Sequence, residues 1–98
     1  MHGEYKVPGG KLVVVDLAVV DGRLASVQVS GDFFLEPDSA LDTINAALLG
    51  LPANADEHQL TDVVDNALGP EVSLYGLTPE GVAIAVRRAL DSPAGRAS

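Results

Sequence analysis

The chain predicts an α+β fold, a small antiparallel sheet of about three strands with three helices packed on one face. Two observations carry this expectation. Apolar residues alternate with period two as far as Phe34 and recur at helical spacing after Pro37. The dipeptide Asp21-Gly22 separates two alternating runs, where it marks a tight hairpin turn.

The elements follow in order. A short strand, Glu4 to Val7, precedes a Pro8-Gly9-Gly10 turn. The second strand, Lys11 to Val20, places Val13, Val15, Leu17 and Val19 in one row, and Leu12, Val14, Asp16, Ala18 and Val20 in the other. The first row is the core face. The second reads as an apolar outer face interrupted by Asp16, and exposed apolar patches of that kind serve as partner surfaces. The third strand, Leu24 to Phe34, continues the core row with Val27, Val29 and Phe33, leaving Phe34 on the outer face. A strict two-residue turn would pair Val15 with Gln28 and spoil the apolar row. Pairing Val15 with Val29 and Leu17 with Val27 requires a three-residue loop, Asp21 to Arg23, or a bulge near Ala25 and Ser26.

After Pro37, Leu41, Ile44 and Leu48 define a first helix that ends before Gly50. The second starts between Asp56 and Gln59, carries Leu60, Val63, Val64, Ala67 and Leu68 on one stripe, and stops at Gly69-Pro70. The third opens with Thr78 as N-cap and Pro79 at the first helical position, and runs through Val82, Ala85, Val86, Ala89 and Leu90, its first turn weakened by Gly81. Residues 1–91 read as one domain and 92–98 as a flexible tail.

Composition narrows the function classes. With 98 residues there is one core and little room for a deep pocket. Fourteen acidic against 6 basic residues give a formal charge of −8, which disfavours nucleic acid or an anionic membrane surface as partner. The absence of cysteine excludes disulfides, a thiolate nucleophile and a thiolate metal site. The apolar run Leu12 to Val20 is too short to span a bilayer and lacks a basic leader, so a cytoplasmic location is expected.

No catalytic residue emerges. Gly9-Gly10-Lys11 lacks the longer glycine spacing and the Ser or Thr that a phosphate-binding loop requires, and Leu12 follows instead. His2 and His58 have no partner at metal-ligand spacing, so no metal site is expected. Asp32 and Glu36 read as groups that satisfy free backbone N–H at the strand exit and the helix start, in preference to an acid/base pair. Ser26, Ser30, Ser39 and Ser73 have no activating base.

One combination of motifs goes further. The block Lys6-Val7-Pro8-Gly9-Gly10-Lys11, the Asp16 strand, Asp21-Gly22-Arg23, the stretch Gly31-Asp32-Phe33-Phe34-Leu35-Glu36-Pro37 and the helix start Leu77-Thr78-Pro79-Glu80 together resemble the C-terminal accessory domain of the lipoate-protein ligase family, over about Glu4 to Leu90. In that family a large catalytic domain adenylates lipoate with ATP and transfers lipoyl to a lysine of an acceptor domain, while the accessory domain supports the chemistry. No catalytic domain accompanies the motifs here, so the resemblance implies the split form, a noncatalytic subunit in a heterodimer with a catalytic ligase.

ATP, Mg and lipoate are then implied for the assembled ligase and none for this chain alone; octanoate and biotin are equally compatible with these residues. Lipoyl acceptor domains become indirect partners. Lys11, leaving a glycine turn, is the foremost candidate for a contact with an acidic partner group or a phosphate, and Lys6 is second. Gly9 and Gly10 permit close backbone approach, and Asp32 and Phe34 complete the candidate partner-binding set. The competing reading is a protein-binding scaffold of the same shape unconnected with lipoylation.

Overall fold

A computed structural model describes residues 1–91 of the chain; the flexible tail expected at 92–98 lies outside the described residues. Strands β1 (His2–Lys6), β2 (Leu12–Val20) and β3 (Arg23–Gly31) form an antiparallel sheet in the order β1-β2-β3. Asp21 and Gly22 both have positive φ, at 53° and 76°, and make a two-residue turn with Val20 opposite Arg23. The register then shifts between Ala18 and Val19, leaving Ala25 as the extra residue of a bulge. Val15 therefore faces Val29 and Leu17 faces Val27, the pairing that the apolar rows demand.

The third strand stops at Gly31 and does not continue to Phe34. Gly31, at φ 151°, stands so close to the Leu12 carbonyl that no Cβ fits. The chain turns out of the sheet there, and β4 (Phe34–Glu36) pairs instead with β5 (Ser73–Tyr75) in a separate two-stranded sheet. Phe33 is buried as its parity required, but Phe34 does not lie on the outer face of the larger sheet. That face is also less apolar than β2 alone implies: Leu12 and Val14 stand beside Lys6 and Glu4 of β1, and Val14 and Asp16 beside Ser30 and Gln28 of β3.

The other face carries the core. Val13, Val15, Leu17 and Val29 pack with Ile44 and Leu48 of α1 (Ser39–Leu48), Leu60 and Val64 of α2 (Glu57–Ala67), and Val82 and Val86 of α3 (Pro79–Leu90). Helix α3 lies on β1 and β2, α1 lies on β3, and α2 packs against both other helices. Local chemistry sets the helix starts. Asp56 accepts from the Gln59 backbone N–H at 2.8 Å while the Gln59 side chain accepts from the Asp56 N–H at 3.0 Å, a reciprocal capping box. Thr78 Oγ1 accepts from the Gly81 N–H at 2.9 Å. Gly81 is a packing device as well as a weak helix former, because a Cβ there would come within 2.7 Å of Val7 Cγ2.

Candidate functional site

The two motifs that dominate the sequence meet at one end of the molecule through a segment that sequence periodicity does not flag. In the turn after β1, Gly9 takes φ 72°, the Gly10 N–H donates to the Val7 carbonyl at 2.8 Å, and the Val7 N–H donates to the Lys11 carbonyl at 3.1 Å. The Lys11 N–H then donates to the carbonyl of Gly76, just beyond β5, at 2.9 Å. Gly76 has φ 82°, and a Cβ on it would lie 2.5 Å from Lys11 Cγ. A Cβ on Gly10 would lie 2.9 Å from the Gly76 carbonyl oxygen. The close approach that Gly10 permits is thus made inside the fold, where it fixes the root of Lys11. Gly9 has open space around its Cβ position and serves the turn.

Residue Phe34 stands opposite Tyr75 across the small sheet, and their rings stack with centroids 4.6 Å apart and planes 20° from parallel. Both are large and exposed, Phe34 at 55% and Tyr75 at 45%. Two of the chain's four aromatic residues thus form an outward-facing pair across β4 and β5, and Tyr75 is followed by Gly76, whose carbonyl holds the Lys11 N–H. Lys6 ends β1 opposite Leu12, and neither lysine has a salt-bridge partner among the described residues. Asp32 is exposed between Gly31 and Phe33. It and Glu36 make no helix cap; the Glu36 carboxylate instead accepts from the Tyr75 hydroxyl at 3.4 Å. The Tyr75-Gly76 corner is the part that sequence reasoning missed, and its one signal was an isolated aromatic between Leu74 and a glycine.

Beside this corner, a surface groove of about 280 Å³ runs along the outer edge of β3, lined by Val29, Gly31, Phe33, Leu35, Asp38 and Leu41. The Asp38 side chain makes no cap hydrogen bond although it precedes α1.

Elsewhere, His2 has the partners that its sequence spacing did not disclose. Its ring nitrogens lie 2.7 Å from the Glu4 and Asp16 carboxylates, and these hydrogen bonds, Glu4's first, raise the imidazole pKa above its usual 6.5. Stabilisation from this raised group is complete below about pH 6.5 and fades as pH rises through the folded-state value. In an NMR titration the His2 midpoint is expected above 6.5, and Glu4→Gln should move it back down. An unshifted midpoint in the unaltered chain would refute the arrangement. Among the described residues no group of three or more His, Asp or Glu is placed to hold a metal ion. No described helix is long and apolar enough to cross a membrane.

No protein-family model and no curated protein matches the chain. Among solved structures it is similar to a chain from an archaeal lipoylation system, a bi-partite lipoate protein ligase and its E2 lipoyl domain from Thermoplasma acidophilum. The likeness has a TM-score of 0.69 at 24% identity and covers 89% of this chain and 98% of that chain. The chain therefore shares its fold, over nearly the full length of both molecules, with a chain of that lipoylation system.

Proposed function

We propose that the chain is the noncatalytic accessory subunit of a two-component lipoate-protein ligase, which supports ATP-dependent lipoyl-adenylate formation by a separate catalytic subunit. The observation that carries this reading is the near end-to-end likeness to a chain of a bi-partite ligase system, found for a sequence whose motifs resemble the accessory domain of that family. The geometry supports a docking role. Lys11 is rooted on Gly76, next to the exposed Phe34–Tyr75 pair, and the lysine and the aromatics offer charge and apolar area at one end of an otherwise acidic protein. Lys11 would meet an acidic group or phosphate at the junction with the catalytic subunit, and Lys6 would add a second cation there. ATP, Mg and lipoate would be held by the assembled ligase, and lipoyl acceptor domains would be met through it.

The test is reconstitution. The purified chain should form no adenylate from lipoate and ATP, and mixing it with its cognate catalytic subunit should start that step. Lys11→Ala should leave stability within about 0.5 kcal/mol, as for other exposed changes, yet lower adenylation by the pair. Lys11→Arg should not rescue it, because a guanidinium fork has a different donor geometry. Adenylate formation by the chain alone sinks the proposal, and failure to stimulate any cognate ligase returns the chain to the scaffold reading.

A further inference from the structure

The outer edge of β3 is covered over only part of its length. Near its start the loop after α1 closes it: the Leu24 N–H donates to the Leu51 carbonyl at 2.9 Å, the Gly50 N–H to the Leu24 carbonyl at 2.8 Å, and Arg23 pairs with Pro52. Farther on, the Val29 N–H donates to the side-chain oxygen of Asn45 at 3.0 Å. That bond fixes the alternation. Val27, Val29 and Gly31 turn their backbone groups away from β2, while Gln28 and Ser30 turn theirs toward it. Among the described residues no hydrogen bond reaches the Val29 carbonyl or the Gly31 N–H from outside the sheet. These groups border the groove floored by Phe33, Leu35 and Leu41 and flanked by the Asp38 carboxylate.

We infer that this open edge receives an extended segment of the catalytic subunit, which pairs with the Val29 carbonyl and the Gly31 N–H as a short fourth strand beyond Asn45 and sets a Lys or Arg against Asp38. The inference rests on the accessory-subunit reading and names the part of the partner that this chain would hold. Three features select the occupant. Unpaired edge groups are satisfied by another strand, the mode by which peptides add to sheets. The groove has an apolar floor of Phe33, Leu35 and Leu41 beside the strand backbone at Val29 and Gly31, a lining that suits a chain laid along the edge. Asp38, uncommitted to its helix, and the charge of −8 favour a basic segment over a second copy, which would bring Asp38 toward its own equivalent in an antiparallel β3 pairing.

Hydrogen–deuterium exchange of the full chain, free and saturated with its cognate catalytic subunit, tests this at single amides. Exchange at Gly31 should slow about tenfold or more in the complex, while Val29, already bonded to Asn45, should change little. Asp38→Asn should keep the fold and weaken association roughly fivefold, the loss of one interfacial ion pair. A complex that forms adenylate but leaves the Gly31 amide exchanging as in the free chain overturns the strand inference and leaves the accessory reading standing. Absence of both complex and stimulated adenylation overturns the two together. Protection that grows with concentration of the chain alone, with a dimer in sedimentation, assigns the edge to a second copy and refutes the inference.

Discussion

Gly3→Val is expected to destabilise the protein by about 3 kcal/mol or more in urea unfolding, an effect near the top of the range for overpacked sites. Gly3 is buried in β1 directly over α3, where a Cβ would collide with the Ala89 N and Ala85 O atoms and come within 2.9 Å of Ala89 Cα. The obstacles are helix backbone, which cannot swing aside as a side chain can. The small residues Ala85 and Ala89 are what allow the strand to lie this close to the helix, and both are fully buried. Lifting the strand would also strain the Arg88 hydrogen bond to the Glu4 carbonyl at 3.0 Å and the Arg88 guanidinium over the Tyr5 ring, 5.0 Å from its centroid. Against a total stability of ~5–15 kcal/mol the loss is large. Gly22→Ala is the matched control: nothing lies near its Cβ, so only the strain at φ 76° remains, about 1 kcal/mol. Equal urea midpoints for Gly3→Val and the unaltered chain would refute the contact.

Gly3 also marks where sequence reasoning reached its limit. It lies outside the strand that the residue pattern starts at Glu4, and no periodicity distinguishes a glycine at a chain end from one pressed onto a helix. The register of the hairpin was legible, by contrast, because two apolar rows admit few pairings and Asp21-Gly22 fixes the turn; the bulge at Ala25 is what reconciles them. The helix start at Thr78 was legible because a cap is local chemistry, whereas the second helix could be started only somewhere between Asp56 and Gln59 until the reciprocal capping box fixed it at Asp56. The small sheet was not, since β4 and β5 are three residues each and their pairing is made across the whole helical region between them. With β5 hidden, Lys11 and Phe34 could be nominated separately, but not the Gly76 contact and the Tyr75 ring that bring their surroundings together.

The neighbouring phenylalanines should separate stability from binding. Phe33 is 8% exposed in the core, its ring lying where a Cβ on Gly31 would be 2.9 Å away, and Phe33→Ala should cost roughly 3–4 kcal/mol in urea unfolding. Phe34 is exposed and its main intramolecular contact is the Tyr75 ring, so Phe34→Ala forfeits about 1 kcal/mol of stacking and leaves the fold intact. Its effect should fall on association. An aromatic pair already held in place loses little freedom on docking, which is how such residues become interface anchors, and removing one ring should weaken binding of the catalytic subunit about thirtyfold in calorimetric titration, close to 2 kcal/mol. Because the rings support one another, Tyr75→Ala should have a similar effect and the double substitution less than the sum. Undiminished binding by Phe34→Ala would remove the aromatic pair from the interface, and equal unfolding by Phe33→Ala and Phe34→Ala would contradict the placement of Phe33 in the core and Phe34 on the surface.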